Sequence, residues 1–522
     1  MIVQSRWTLS CYSPYETDEM VPLELFSIYN TLMTRPPSLD HPLRDLLPDS
    51  YDHGWSVARN LIKPLNHLDF ARRKEELAAE LNLHNTLTPP ALFNVNYDIL
   101  AKHQARTVTT RAAVRHLAAQ LQREGQMLSE EDVAERLREY ATIRHMEFHP
   151  SDVCNLTCCG CTYGHDDPER KPPPINFPLP EIKMISHMKP RSMVIVGGGE
   201  PTLYRNGNHG FQELVEEISS TNAGITLALT TNGTYKPPGD WPNRLSWIRV
   251  SLDAAAENTY AAFRGKPLFT RVIKNYLSYL DYAVRYVGIS FLFARANIHD
   301  YAAIARFIFD LVRKEKPYAL HKVNIQYRPL RRDPHAYNKP FTQAVTAEQI
   351  QNTIREIREL ADSSVEMKRF LKNQTNITAI LGGNTHPLHD FSRCYYSQTF
   401  RIVRASGDLR PCFIRVSEPD SSLGNIQADS LETIALNTLY VGARRKPHCD
   451  KLGCRQCHVN YTFEQGLSGN LKPSTSPQVR ADPMYLAMSA RLSAQKAPQR
   501  GDSPCCARPH FREFCLSAFS PY

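Results

Sequence analysis

Three closely spaced cysteines are the strongest chemical signal in the sequence. Cys154, Cys158 and Cys161 follow a C-x3-C-x2-C spacing within one short loop. A four-iron cubane needs one outside ligand for each iron, so three thiolates would hold three irons and leave the fourth open to a small molecule. The alternative is a zinc-ribbon fragment or buried structural cysteines. Structural zinc takes four protein ligands, and no nearby His or Cys obviously completes such a set here.

A second signal lies further along the chain in the run Val194–Pro201, which reads VIVGGGEP. The β-branched residues followed by glycines predict a buried strand that enters a tight turn at its carboxyl end. Because glycine has no Cβ, the backbone of Gly198 and Gly199 can contact a bound amino acid. The carboxylate of Glu200 can accept hydrogen bonds from an ammonium group.

Together the two stretches resemble the radical S-adenosylmethionine (SAM) superfamily, whose motif C-x3-C-x-aromatic-C precedes a strand that ends in G-G-E-P. One position departs from that motif, because the residue before the last cysteine is Gly160. The resemblance implies a [4Fe-4S] cluster on Cys154, Cys158 and Cys161, with SAM bound at the open iron. It also implies reductive cleavage of SAM to a 5'-deoxyadenosyl radical, which abstracts hydrogen from a substrate.

The motifs require a scaffold, and from Arg144 the sequence alternates between strand and helix patterns. Strands are predicted near 144–149, 192–197, 225–231, 245–252, 287–294 and 322–328, with helices such as 211–219 and 297–312 between them. By resemblance this is an α/β fold, an incomplete TIM barrel of (β/α)6 type over residues 143–332. Ligands bind such barrels at the carboxyl ends of the strands, where the cysteine loop and the glycine turn would both lie.

Polar residues at the following strand ends complete the predicted SAM site. The resemblance assigns Ser251 and Asp253 to ribose or amino groups and Arg264 to the carboxylate, and a ribose would fit beside Thr231 and Asn232. The full set of predicted SAM-binding residues is Gly198, Gly199, Glu200, Pro201, Thr231, Asn232, Ser251, Asp253 and Arg264. Turn and capping roles are the alternative for Thr231, Asn232, Asp253 and Arg264.

Two further groups of polar residues lie near these strand ends. Asn324, Gln326 and Arg328 share one face of strand six, and Asn297 ends strand five. They would contact substrate or SAM if they face the lumen, or form a polar rim. The residues after the cysteine loop, including Tyr163, His165, Asp166 and Asp167, are expected in a solvated loop, with a role in orienting substrate as the alternative.

The flanking regions are predicted to be mainly helical. Residues 1–142 show helical spacing at Leu77 and Leu81 and again from Val114 to Leu121, ending near Gly125, and Ser129 begins a further helix with a capping box. This region would pack against the barrel, or serve as a substrate-docking module or lid. Residues 333–392 resemble a helical connector. Residues 466–522 are expected to be a disordered tail in which Cys505, Cys506 and Cys515 are incidental.

A second cysteine group lies in residues 393–465. A predicted hairpin pairs Phe400–Val403 with Cys412–Val416 around Ser406-Gly407. Four thiols from this region can hold zinc or a cubane, and their spacing does not choose between the two. Similarity to SPASM and twitch domains assigns Cys394, Cys412, Cys454 and Cys457 to one auxiliary [4Fe-4S] cluster in a small α+β domain. Cys449 either replaces one of these ligands or is free, His458 is a neighbour, and Cys159 is a bystander.

Composition sets broader bounds on the protein. The chain has 522 residues, 42% of them hydrophobic, and a net charge of +9. No apolar run approaches the ~20 residues of a membrane span, and the amino terminus lacks a signal-peptide pattern, so a cytoplasmic location is expected. In that reducing compartment the 13 cysteines are expected as metal ligands or free thiols. The dispersed basic excess permits nucleic-acid binding without indicating it.

The family resemblance also sets the range of functions. It favours a maturase or dehydrogenase that acts on a peptide or small molecule and receives electrons from a donor such as flavodoxin or ferredoxin. The auxiliary cluster would either carry electrons or bind substrate. One alternative is an RNA-modifying enzyme. Another is a non-enzymatic metal-binding or redox-sensing protein in which both thiol sets are structural.

Overall fold

The computed structural model describes most of the predicted barrel and parts of its flanks. The described residues are 43–46, 103–123, 125, 127–143, 145–169, 171–190, 192–330, 344–380, 400–413, 415–416 and 421–443. The predicted helix at Leu77 and Leu81, the predicted tail, and Cys394, Cys449, Cys454, Cys457 and His458 lie outside these residues. Within the described part of the chain, no helix is both long and apolar enough to cross a membrane.

Six parallel strands form the core of the structure, in agreement with the predicted α/β partial barrel. They are β1 His145–Phe148, β2 Ser192–Ile195, β3 Thr226–Thr231, β4 Trp247–Ser251, β5 Tyr286–Phe293 and β6 Val323–Pro329. Neighbouring strands pair in parallel in sequence order from β1 to β6. All six predicted strands are therefore confirmed, with ends that differ by a few residues at most.

The helices that connect these strands pack against one face of the sheet. In chain order the described α-helices are α1 His103–Arg123, α2 Glu130–Ala141, α3 Ile182–Ser186, α4 Phe211–Thr221, α5 Glu257–Arg264, α6 Phe269–Tyr279, α7 Tyr301–Glu315, α8 Ala347–Asp362, α9 Val365–Gln374 and α10 Leu431–Ala443. Amphipathic helices such as α4 bury one side, here Phe211, Leu214, Val215 and Ile218. Alternate strand residues such as Ile248 and Val250 join these side chains in one large core.

Three further strands extend the sheet beyond β1. Strands β7 Phe400–Val403, β8 Asp408–Arg410 and β9 Gly424–Asn425 follow β1 in the order β6-β5-β4-β3-β2-β1-β7-β8-β9. Strand β7 pairs in parallel with β1, and β8 pairs antiparallel with β7. Strands β7 to β9 thus share a continuous sheet with the barrel strands.

The predicted hairpin is correct in its first strand and turn but wrong in its second strand. Cys412–Val416 was expected to pair with Phe400–Val403, whereas the pairing strand is Asp408–Arg410. The turn at Gly407, whose φ is +78°, is tight enough that pairing begins directly after it and ends before Cys412. Cys412 therefore lies just beyond the strand, with only 4% of its surface exposed.

The described N-terminal helices pack against the C-terminal helix α10. Buried side chains of α1, α2 and α10 form a small separate core that includes Leu117, Leu137 and Leu436. Arg138 forms an ion pair of 2.7 Å with Glu432 across this contact. The predicted capping box is confirmed, because Ser129 Oγ accepts a hydrogen bond from the amide of Asp132, whose carboxylate accepts one from Ser129 N.

Candidate functional site

The three motif cysteines lie in the loop that follows β1, at the carboxyl end of the sheet. Cys154, Cys158 and Cys161 are half-buried. Burial raises the pKa of Cys154 to about 12, partly offset by a hydrogen bond from the Leu156 backbone. The amide of Cys161 donates to Cys158 O at 3.2 Å, so the second and third cysteines share one tight turn.

The glycine turn after β2 packs directly against the chain segment that leads into this loop. Gly199 N donates to Ser151 O and Glu200 N donates to Val153 O, each at 2.7 Å. A Cβ on Gly199 would lie 2.1 Å from Val153 O, which no backbone could accommodate. The absence of a side chain is thus needed here for the cysteine loop to approach, in addition to any role in approaching a ligand.

Glu200 links the glycine turn to the end of β3. Its Oε1 accepts hydrogen bonds from the Thr231 hydroxyl at 2.6 Å and from the amide and hydroxyl of Thr202, while Oε2 accepts from Asn232 N at 2.6 Å. Burial raises the pKa of this carboxyl, and these hydrogen bonds oppose the shift. Since each carboxylate oxygen has two lone pairs, Oε2 retains capacity for one more donor.

The polar residues after β3 bind the cysteine loop through Asn155. Asn155 Nδ2 donates to Thr234 Oγ1 at 2.9 Å, and Asn155 Oδ1 accepts from Asn232 Nδ2 at 3.0 Å. Asn232 Oδ1 in turn accepts from the amide and hydroxyl of Thr234. Thr231 and Asn232 therefore hold the two motifs together, which is the turn role considered in the sequence.

Asp253 and Arg264 form a buried ion pair beside the second cysteine. Arg264 Nη2 lies 2.6 Å from Asp253 Oδ2, and Arg264 Nη1 donates to Cys158 Sγ at 3.3 Å. Burial works to lower the pKa of Arg264, but attraction to Asp253 and Cys158 outweighs it and the net pKa is raised. Asp253 has a φ of +56°, which is uncommon outside glycine, and its Oδ1 accepts from Leu292 N. The fixed guanidinium therefore places positive charge next to a motif thiol.

Ser251 and Pro201 complete the predicted set. Ser251 is half-buried at the last position of β4, and Pro201 is buried where a short 3-10 helix begins. The predicted set and the three first cysteines thus lie in the strand ends, loops and short 3-10 helix that follow β1 to β4, with Arg264 at the end of α5. The geometry gives Thr231, Asn232 and Glu200 definite protein partners, so their positions are fixed before any ligand binds.

Two residues near the cysteine loop have roles that the sequence did not indicate. His165 was expected in a solvated loop, which is wrong, because its side chain is 5% exposed and its Nε2 is 2.7 Å from Gly198 O. Asp166 is exposed as expected, yet its carboxylate accepts hydrogen bonds from the amides of Gly160 and Cys161. His165 thus contacts the glycine turn and Asp166 fixes the backbone of the loop, and no spacing pattern in the sequence identifies such contacts.

Asn297 also has a structural role rather than a ligand-facing one. Its Oδ1 accepts from Ala294 N, and its Nδ2 donates to Asp253 O and Leu292 O. The predicted possibility that Asn297 contacts substrate is therefore not supported by its hydrogen bonds. Asn324, Gln326 and Arg328 occupy alternate positions of β6, as predicted.

The residues at the site fit an iron–sulfur cluster and SAM by their chemistry. Among the described residues no three His, Cys, Asp or Glu side chains are arranged to hold a single metal ion. A cubane does not require its cysteines to converge on one ion, because each cysteine binds a separate iron. Arg264 Nε is buried and has no hydrogen-bond partner among the described residues, which leaves a donor for an anionic group such as a carboxylate.

Residues 148–308 match the family model of the radical SAM superfamily. The matched segment is less than half of the chain and runs from the end of β1 into α7.

Similar proteins with curated names share part of this segment. The chain is 31% identical over 138 residues to GTP 3',8-cyclase of Edwardsiella ictaluri (strain 93-146), a match that covers 25% of this chain and 41% of that protein. It is 28% identical over 151 residues to GTP 3',8-cyclase of Haemophilus ducreyi (strain 35000HP / ATCC 700724), covering 27% and 42% of the two chains. The chain thus spans less than half the length of these relatives.

Solved structures of low sequence identity also resemble the chain. Native anSMEcpe with bound AdoMet has a TM-score of 0.40 at 19% identity, covering 67% of this chain and 98% of that chain. SuiB of Streptococcus suis bound to precursor peptide SuiA has a TM-score of 0.43 at 13% identity, covering 65% and 84%.

The contact between α5 and the cysteine loop gives a testable prediction. Gly265 ends α5 at a φ of +80°, and a Cβ there would lie 2.1 Å from Thr157 Oγ1 and 3.0 Å from Thr157 O. We expect Gly265→Ala to lower the free energy of unfolding by about 1–3 kcal/mol more than a matched control, because the cysteine loop must shift. Urea unfolding and the iron content after reconstitution would measure the two effects.

Gly224→Ala is the matched control for this substitution. Gly224 has a φ of +79° and no atom within 4 Å of a built Cβ, so it shares the backbone cost without the steric contact. Equal unfolding free energies and equal iron contents for the two variants would show that the contact with Thr157 does not position the loop.

Proposed function

We propose that the protein reductively cleaves SAM and uses the resulting radical on a peptide or small-molecule substrate. The observation that carries this proposal is the Arg264 guanidinium, which lies between Cys158 and the buried Asp253 and whose Nε has no hydrogen-bond partner among the described residues. Cys154, Cys158 and Cys161 would hold a [4Fe-4S] cluster. When bound, the cluster and SAM supply a 5'-deoxyadenosyl radical that abstracts hydrogen from substrate.

The protein's own residues would position SAM at the carboxyl ends of the strands. Arg264 Nε would donate to the methionine carboxylate, and Glu200 Oε2 would accept from the ammonium group. Ser251 and Asp253 would lie near the ribose or amino groups, although Asp253 already binds Arg264 and Leu292 N. Thr231, Asn232, Gly198, Gly199 and Pro201 would shape the cavity, since their hydrogen bonds and packing fix the loops around it.

The auxiliary cluster and the domain boundaries belong to the same proposal. Cys412 is buried just after β8, where it could join Cys394, Cys454 and Cys457 as a cluster ligand. Residues 143–332 would be the radical SAM barrel and 393–465 the auxiliary domain. Residues 1–142, 333–392 and 466–522 would be the N-terminal helical region, the connector and the tail.

The substrate class and the electron donor are proposed from the family resemblance. The named relatives share only a part of the domain, so their similarity supports SAM cleavage without indicating a common substrate. A peptide or small molecule remains our proposal, with flavodoxin or ferredoxin as the donor type. Radical modification of RNA is the alternative substrate class, and salt-sensitive co-purification of RNA would support it.

Anaerobic reconstitution tests the central proposal. We expect about eight irons and eight sulfides per chain if both clusters form, and about four of each if only the first does. With dithionite and SAM, the reconstituted protein should release 5'-deoxyadenosine, measured by chromatography. Bound zinc without sulfide, and no 5'-deoxyadenosine, would contradict the proposal and support the non-enzymatic alternative.

The auxiliary cluster is tested by the same iron and sulfide analysis on one variant. Cys412→Ala should lower the content by about four irons per chain, because a cubane held by four thiolates loses one of its ligands. An unchanged iron content would remove Cys412 from the proposed ligand set.

A further inference from the structure

The inner face of the barrel carries charged residues in the middle of its strands. Strand register places Arg249 of β4 beside Thr230 of β3 and Gly288 of β5, and Gly288 pairs with Asn324 of β6. Trp247 and Ala228 lie two residues before Arg249 and Thr230 in the same strands. Together with Val194 of β2 they form a small apolar cluster that is separate from the main core. Since side chains alternate across a strand, Arg249 shares this inner face and not the face covered by helices.

Arg249 is buried on this inner face, and no carboxylate of the described residues is in hydrogen-bond contact with it. The residue is 4% exposed, and its Cζ lies 4.9 Å from the centre of the Trp247 ring. Its Nε and Nη2 atoms have no hydrogen-bond partner among the described residues. Burial lowers the pKa of Arg249 well below its ordinary value, and repulsion from Arg328 adds to the effect.

The nearby charges leave one positive charge uncompensated. Arg328 donates from Nη2 to Gln326 Oε1 at 2.5 Å, and attraction to Glu147 opposes the burial that lowers the pKa of Arg328. Glu147 is thus close enough to attract Arg328, while no carboxylate among the described residues pairs with Arg249. An unpaired buried cation costs stability, so a residue of this kind indicates a bound anion in the working protein.

We propose that Arg249 binds a carboxylate group of the substrate inside the barrel, through its Nε and Nη2 atoms. These two donors lie on one edge of the guanidinium and match the two oxygens of a carboxylate. A single negative charge balances the one excess positive charge, whereas a phosphate dianion would leave net negative charge in a dry site next to Trp247. The inference rests on the proposed function and deepens it, since it assigns the substrate an acidic group.

The position of Arg249 separates this group from the predicted SAM site. Arg249 lies in the middle of β4, two residues before Ser251, and it faces the lumen below the strand ends. The carboxylate of SAM already has a proposed partner in Arg264, which lies beside the cysteine loop. The substrate would therefore enter the barrel with its carboxylate directed inward and its reacting carbon nearer the strand ends.

Calorimetric titration of the reconstituted protein with small probes tests this proposal without turnover. The probes are glutarate, its uncharged diamide and inorganic phosphate, each added in the presence of SAM. We expect glutarate, with one of its carboxylates on Arg249, to bind the wild-type protein about ten-fold or more tightly than either other probe. The diamide loses both charge-assisted hydrogen bonds, and phosphate would bring both of its charges into the dry site beside Trp247. Arg249→Met should weaken glutarate binding by about ten-fold or more, and Arg249→Lys should weaken it less.

Controls distinguish loss of binding from loss of structure. Arg249→Met removes an unpaired buried cation, so its Tm should rise by about 2–4 °C rather than fall. Arg244→Met, on an exposed arginine outside the barrel, should leave glutarate binding unchanged. Equal glutarate affinity for wild type and Arg249→Met, or binding of diamide or phosphate as tight as that of glutarate, would overturn the proposal. Failure to release 5'-deoxyadenosine would instead overturn only the proposed function.

Discussion

Replacing Cys158 by alanine should reduce the release of 5'-deoxyadenosine from SAM to background. Cys158 lies between the other two motif cysteines in the loop and is the one that receives a hydrogen bond from Arg264 Nη1. Loss of an outer contact to a metal ligand typically costs about 10–100-fold in metal affinity or activity, so loss of the ligand itself should cost at least about 100-fold. The assay is anaerobic turnover with dithionite, with 5'-deoxyadenosine quantified against added SAM.

Cys159→Ala provides the matched control for this loss. Cys159 is the next residue, half-buried in the same loop, and its amide donates to Phe263 O at 2.8 Å, a backbone contact that alanine preserves. We expect Cys159→Ala to retain iron and SAM cleavage within about two-fold, because it removes a thiol outside the motif register. If Cys158→Ala cleaved SAM as fast as the wild-type protein, the assignment of the first cluster would be wrong.

Arg264→Met should be the most destabilising single substitution at the site, by about 3–5 kcal/mol, because it leaves the Asp253 carboxylate buried without a counter-ion. The two side chains are 9% and 1% exposed and lie 2.6 Å apart. Burial raises the pKa of Asp253 and the guanidinium opposes that shift, so removing Arg264 would raise the pKa further. Chemical unfolding of the wild type and the variant would measure the difference.

Two further variants show whether the effect comes from the buried pair. Arg264→Met combined with Asp253→Asn should recover part of the lost stability, because the second change removes the stranded charge. Arg313→Met breaks an exposed ion pair with Glu366, 2.9 Å long, and should cost about 1 kcal/mol or less. Equal losses for Arg264→Met and Arg313→Met would show that burial of the pair contributes little.

The strand positions of the barrel could be read from the sequence because buried parallel strands are rich in apolar and β-branched residues. Runs such as Val287–Phe293 and Met193–Val196 lie between segments whose apolar residues recur at helical spacing, so the two kinds of segment can be told apart. The second hairpin strand was misplaced because the apolar and β-branched residues after Cys412 resemble a strand. Pairing is decided instead by the turn at Gly407, which brings Asp408–Arg410 directly opposite β7.

The motif residues could also be identified from the sequence, but their hydrogen-bond partners could not. The spacing of Cys154, Cys158 and Cys161 and the glycines before Glu200 depends on local chain geometry. The hydrogen bonds of Glu200 to Thr231 and Asn232 join residues separated by a whole βα unit, so only the register of β2 and β3 fixes them. His165 and Arg249 carry no spacing signal, because their surroundings are set by contacts with distant parts of the chain.

The pairing of β7 with β1 affects how the C-terminal part of the chain can be studied by truncation. Strand β1 carries the first cysteine loop, and Phe400–Val403 cover one of its sides, with His149 N donating to Val403 O at 2.8 Å. A chain ending before residue 400 would turn β1 into an exposed edge strand with unpaired backbone groups, which invites aggregation. Loss of activity in a truncated protein could therefore result from the exposed β1 strand. Point substitutions are needed to measure the contribution of the C-terminal cysteines.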